Sequence, residues 1–399
     1  METVVLFDTQ ELHENLLPLS FTRPVSHFRV GILTIGEKWR RRLGADRVMS
    51  LAVSYLRVKF PAPEPDAEAL FINSGVMPTP ALVETAGNLC AGQRLVDAEG
   101  DTLAFRGTTA AFDAGEGEQG VFDARVDRIR YVFDIFLRNG RELVADYELL
   151  TLGRVSQPLP HTCTLIGSPM TEKGYPALFI EEGASVQGAF VNVTHGPIYI
   201  GKDAEVMEGA CLRGPLAVCE ESHVNIGAKI YPDTTVGPCS KVGGEVNNVV
   251  IFGHSNKSHD GFLGNAVVGE WCNIGAGVNA SNLKNDYSKI RIWNYATRSF
   301  MRTDLQFCGL IMGDHSKIGI NVMLNTATVM GVGVNLHGSG FPRTFLPGFS
   351  EGSPAGFKEV TLKKFTQVAE RVMARRNIAV EDPDRALFAE VEKQEKSHR

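Results

Sequence analysis

The 399-residue chain carries 40 lysines and arginines against 46 aspartates and glutamates, a formal net charge of −6, and 43% of its residues are hydrophobic. That length allows two or three domains, and mild acidity without a basic stripe excludes a nucleic-acid surface. No apolar run approaches the roughly 20 residues that span a bilayer, the N-terminus has no signal-peptide pattern, and seven cysteines without a CxxC pair exclude a disulfide framework or zinc site, so a cytoplasmic protein with no membrane contact is expected.

The first 155 residues read as an α/β domain. Val4-Val5-Leu6-Phe7 predicts a buried strand, and Ala69–Asn73 a second one ending in a turn at Ser74-Gly75. Helices are expected over Thr34–Leu43 and Leu137–Thr151, with Lys38-Trp39-Arg40-Arg41-Arg42 as a solvated face of the first. Pro61–Pro65 reads as a surface loop and Ala114–Gly120 as a glycine-rich one.

From about 160 to 345 the pattern changes. Ile200, Val206, Leu212, Val218, Val224, Ile230, Val236 and Val242 follow one another at a step of six. The step also joins Ile180 to Val186, resumes at Phe262, Val268 and Ile274, and again at Met312, Ile318, Leu324, Met330 and Leu336. A helix turning 100° per residue would throw a step of six onto opposite faces, and a flat strand needs period two. A triangular coil fits: each six-residue unit is a short strand plus a corner, and its aliphatic residue stacks about 4.8 Å above the last. The breaks at 192–197, 246–261 and 280–310 are read as loops leaving the coil, and Cys211, Cys219, Cys239 and Cys272 as small filler in its core. Leu362–Arg376 and Pro383–Lys396 predict two helices in a C-terminal extension, 346–399.

The stretch Phe252–Gly264 brings His254, Lys257, His259 and Asp260 together beside the coil. A neutral histidine suits general-base chemistry on an amine or hydroxyl. His195, His223, His315 and His337 are left as surface or corner residues, because no histidine set has metal-ligand spacing.

His259-Asp-Gly-Phe-Leu-Gly-Asn265, Asn273-Ile-Gly-Ala-Gly277 and Ser281-Asn282-Leu283 resemble the motifs of left-handed β-helix acyltransferases, above all the bifunctional family that acetylates glucosamine-1-phosphate and then uridylylates it. The resemblance implies a left-handed parallel β-helix, acetyl-CoA as acyl donor, His259 as the base for the sugar amine, Asn282 as a polar contact, and a homotrimer. Lys229, Lys257 and Asp260 complete the candidate substrate contacts. Leu283 and Phe262 stand where the family has tyrosine.

Leu16–Pro24 is similar to the phosphate-binding signature of sugar-1-phosphate nucleotidyltransferases, which implies a sugar-1-phosphate, a nucleoside triphosphate and Mg²⁺ as reactants. The glycine-rich loop is replaced by Asp8-Thr9-Gln10-Glu11, the signature arginine by Asn15 and its lysine by Val25; Arg23 and Lys38 are the cations available in their stead. The Asp of the metal motif is absent at Ile72–Gly75, and the metal ligands stay unassigned. Three readings remain open: a bifunctional sugar-1-phosphate transferase, a nucleotidyltransferase (thymidylyltransferase-like, for example) with the coil as trimer scaffold, and a non-catalytic sugar-nucleotide scaffold.

Overall fold

In the computed structural model, which describes residues 3–398, the chain divides into two compact units. One comprises residues 1–16, 22–28 and 33–134; the other comprises 17–21, 29–32 and 135–399. The division differs from a boundary near 155: the helix Asp134–Thr151 counts with the coil, as do the short segments Leu17–Phe21 and Arg29–Ile32.

The first unit is a six-stranded mixed sheet with helices. Its strands are β1 (Thr3–Phe7), β2 (Arg47–Leu51), β3 (Glu68–Asn73), β4 (Gln93–Val96), β5 (Thr102–Thr108) and β6 (Glu118–Val121), in the order β2-β1-β3-β5-β4-β6. β1 lies parallel to both β2 and β3, and its Val4–Phe7 are buried, as a run without alternation requires. Helix α1 (Gln10–Asn15) follows β1 directly. Helix α2 (Ile35–Leu43) starts on a capping box in which Thr34 and Glu37 bond each other's backbone. Its cationic run is only partly solvated: Lys38 and Trp39 are buried, and the indole donates to the Val76 carbonyl at 2.9 Å.

The second unit is a left-handed parallel β-helix followed by two helices, α3 (Leu362–Ala374) and α4 (Asp382–Ser397), counting only the C-terminal pair. Three stacks of inward residues fill the prism. One runs from Leu165 through Val191, Leu212, Ile230, Val246 and Leu263. The second runs from Ile180 through Ile200, Val218, Val236, Ile251, Val268, Met312 and Met330 to Leu346. The third holds Val186, Val206, Val224 and Val242, then Lys257, then Ile274, Ile318 and Leu336. Asp203, Glu221, Cys239, His254, Trp271 and His315 take the same corner on successive turns, each at a φ between 50° and 61°.

Three expectations change. Residues 246–261 do not leave the coil: Glu245–Gly253 is a nine-residue strand turning from one face to the next at Asn248 (φ 54°), and Asn256–Lys257 occupies the third face. The step there is four, five and six residues, so a search at six misses the turn. Leu263, not Phe262, points inward. Of the four cysteines only Cys272 belongs to the prism core; Cys219 is buried against Ile32, and Cys211 faces outward. The segment 281–310 does leave the coil and carries an antiparallel hairpin, Arg291–Asn294 with Ser299–Arg302. No described helix is long and apolar enough to cross a membrane.

Candidate functional site

The corner bearing His259 sits above a defect in the repeat. From Val224 to Ile230, and from Lys257 to Leu263, a corner takes the usual six-residue step; from Val242 to Val246 it takes four, leaving only Gly243 and Gly244 between strands. The glycines are required. A Cβ on Gly243 would overlap the Ser258 carbonyl, and one on Gly244 (φ 69°) would lie 2.8 Å from the Asp260 Cα. The shortened corner recedes beneath His259.

Three corner carbonyls then find side-chain donors. Lys257, 2% exposed, donates from inside the prism to the carbonyls of Gly243 (3.0 Å) and His259 (2.8 Å). Asn225, from the corner below the defect, donates to the Ser258 carbonyl at 2.8 Å. A buried carbonyl without a donor costs about 1–3 kcal/mol, which explains a lysine in an aliphatic stack. Burial pushes the Lys257 ammonium down to about 8, with the charge of Lys229 in the same sense and Asp260 opposing. Its position inside the core takes Lys257 out of reach of a substrate, contrary to the expected contact.

His259 and Asp260 are exposed, and the His259 imidazole hydrogen bonds to no other described residue. The strand leaving this corner carries Phe262, whose ring lies over Gly264; the Asn282 amide lies against the same glycine and donates to Asn265 Oδ1 at 2.8 Å. His259 thus precedes, and Asn282 bonds to, the nine-residue strand Phe262–Glu270. Lys229 is exposed two rungs below Phe262 on the same outward row, with Glu245 between them. Beyond Asn282, a cleft of about 650 Å³ is lined by Ser281, Lys284, Lys289, Arg291, Asn325 and Phe341. Its three cations escaped the sequence reading, although their crowding into eight residues of a departing loop was a usable signal.

The first unit has its own cleft, of about 400 Å³, at the C-terminal ends of β1 and β3, where parallel strands of α/β sheets bind ligands. Thr9, Asn15, Asn73, Asp101, Arg128 and Arg130 are among its lining. Asn73 accepts from Gly75 N at 2.9 Å and donates to the Thr102 carbonyl at 3.2 Å. Arg128 clamps Asp97 and Asp101, the latter at 2.9 Å. Burial works to raise the Asp97 carboxyl, but Arg128 and the backbone N–H groups of Asp101 and Glu99 hold it below the usual range. No group of three or more His, Cys, Asp or Glu side chains that could hold a metal ion occurs among the described residues. Arg23 does not line the cleft; it is buried, 7% exposed.

Residues 4–155 match the model of the sugar nucleotidyl transferase family. A bifunctional sugar-1-phosphate nucleotidylyltransferase/acetyltransferase of Sulfurisphaera tokodaii is 26% identical over 131 residues, 32% of this chain and 32% of that protein. The chain therefore aligns with about a third of that curated relative's length. Among solved structures, a hexapeptide transferase family protein from Anaplasma phagocytophilum is 12% identical, covering 59% of this chain and 99% of its own, with a TM-score of 0.24. AntD, an N-acyltransferase from Bacillus cereus solved in complex with dTDP and 3-hydroxybutyryl-CoA, is 13% identical over 54% of this chain and 92% of its own, with a TM-score of 0.22. At such TM-scores the coil is defined by its own strand register.

Proposed function

We propose that the chain is a transferase of nucleotide-sugar metabolism with two sites: nucleotidyl transfer to a sugar-1-phosphate in the first unit, and acetyl transfer from acetyl-CoA to a sugar amine, that of glucosamine-1-phosphate or a relative, at the His259 corner. The match of residues 4–155 supports the first half. The observation that carries the second is an exposed, unengaged imidazole held over a receding glycine corner by a buried lysine.

In this reading His259 accepts the amine proton as the nitrogen attacks the thioester carbonyl. The C–N bond forms, the C–S bond breaks, and the departing thiolate takes up the proton. The Asn265–Asn282 amide pair and Phe262 orient the sugar, and Lys284, Lys289 and Arg291 offer charge to its phosphate. Lys229 and Asp260 border the same face. Association as a trimer is supported by the exposed apolar residues Ile226 and Ile320, which take the corner position of His259 on other turns, at 72% and 70% exposure; sedimentation at the mass of one chain would refute it.

The deciding experiment offers purified protein acetyl-CoA with glucosamine-1-phosphate, following thiol release, and separately UTP or dTTP with sugar-1-phosphates and Mg²⁺, following pyrophosphate. Thiol release lost in His259→Ala supports the acyl site. Pyrophosphate without thiol release rejects that site and leaves the coil a scaffold. Silence in both arms rejects the whole reading.

A further inference from the structure

On the third face of the prism the outward residues form a row by strand register: Glu205, His223, Lys241, Asn256, Asn273, Lys317, Asn335, Glu351. Its acids are engaged at the two ends. Glu205 meets His223 at 2.7 Å, and Glu351 meets Lys364 at 2.5 Å. The four middle rungs carry two lysines and two asparagines. The C-terminal end of α3 lays Val372, Arg375 and Arg376 against them, enclosing a cavity of about 570 Å³ that no carboxylate lines.

Its charged groups are all cations: Lys241, Lys317, Arg375 and Arg376. Lys241 and Arg375 have no partner among the described residues. Arg376 donates to Asn256 Oδ1 at 3.3 Å, which turns the Asn256 amide nitrogen away as a further donor. Lys317 donates to the carbonyls of Trp271 (2.8 Å) and His315 (2.9 Å), keeping a third N–H. One wall is rigid: the rings of His254 and Trp271 stack 4.3 Å apart at 9°, and His315 continues the pile at 6.3 Å. Rungs about 4.8 Å apart put Lys241 and Lys317 roughly 14 Å from each other, longer than one phosphate.

We infer that this cavity binds a diphosphate-bearing anion. Convergent unpaired cations with amide donors between them select a multiply charged oxyanion, and charge-assisted bonds of this kind are the strong ones. The volume is that of a small-molecule site, and a lining with four cations and no carboxylate selects an anion. The site lies across the third face, apart from the Asn282 cleft, and its assignment does not rest on either transfer reaction.

The test is calorimetric titration of the full chain, at low salt with EDTA present, using inorganic pyrophosphate, ADP and orthophosphate. Pyrophosphate or ADP should bind at one site, and Lys241→Gln and Arg376→Gln should each weaken binding at least tenfold, while Lys393→Gln on α4 leaves it unchanged. Tighter binding of pyrophosphate assigns the free anion, and tighter binding of ADP a nucleotide's diphosphate. Absence of binding, variants that bind like the parent, or orthophosphate binding as tightly as pyrophosphate would each overturn the inference.

Discussion

Lys257, inside the prism, donates to the backbone carbonyl of His259, on its corner, at 2.8 Å. The residue that fills an aliphatic slot in the core is thereby tied to the residue proposed as the base. Replacing it with methionine keeps the volume and restores an apolar stack. The two stranded carbonyls cost about 1–3 kcal/mol each, and the apolar burial with release of a buried charge returns a similar amount. Lys257→Met should therefore unfold within a few degrees of the parent, while thiol-release kcat drops at least tenfold at unchanged KM for acetyl-CoA, because an unanchored corner misplaces the imidazole. An unaltered kcat would show that the lysine serves folding alone.

The same lysine gives stability a pH dependence. Burial holds it at about 8 against an ordinary 10.5. Below pH 8 folded and unfolded chains both carry the proton; between 8 and 10.5 only the unfolded chain does. The unfolded state then binds more protons, so this group adds stability as pH rises through that window and withdraws it as pH falls back through 8. In urea unfolding at pH 7.5 and 9.5, the parent should gain relative to Lys257→Met at the higher pH. Parallel behaviour of the two proteins would contradict the buried placement.

The coil was legible because a stack of identical contacts repeats in the sequence, and Ile200 to Val242 shows it directly. What escaped was the turn where the period fails. The shortened corner at Gly243-Gly244 shifts the frame, and a lysine at the next inward position disguises the stack, so residues 246–261 looked like a departing loop. Two consecutive glycines at a break in a hexapeptide run were the available signal. His259 and Asn282 are candidates through the resemblance of their motifs to those of β-helix acyltransferases, whereas the role of Lys257 depends on carbonyls orphaned by backbone geometry, which no side-chain pattern encodes. Arg23 itself falls in the sheet's unit, but it is buried and does not line the cleft there.

In the sheet unit, Asp8 follows β1, with Oδ2 accepting from Val25 N at 3.1 Å. Burial raises its carboxyl to about 7, with bonds from Ser74 and Val25 only partly opposing. A raised carboxyl supports the fold fully below its ordinary 3.8 and loses that support as pH climbs through 7. Asp8→Asn keeps the acceptor and removes the titration. Calorimetric melts should show the variant gaining on the parent between pH 5 and pH 8, by on the order of 1–3 kcal/mol. An equal offset at both pH values would mean Asp8 is not buried as a neutral acid.

The C-terminal helix α4 is docked by one carboxylate. Glu395, fully buried, accepts from Val332 N at 2.8 Å and Gly348 N at 3.1 Å, on the last turns of the coil. Gly331 and Gly348 leave the room it needs, since a Cβ on either would strike its Oε1. Tyr295, from the segment that leaves the coil, lies near the same carboxylate; burial first, then the charge of Glu395, raise the phenol well above its ordinary value. One acidic group therefore joins the cap to the final rungs. Glu395→Ala strands two buried amides, and should cost about 3 kcal/mol in urea unfolding, with faster hydrogen exchange along α4. Glu395→Gln, keeping one acceptor oxygen, should fall between. A loss below about 0.5 kcal/mol in the alanine variant, the range of an ordinary surface substitution, would mean the helix is held by its apolar residues Leu387, Phe388 and Val391 instead.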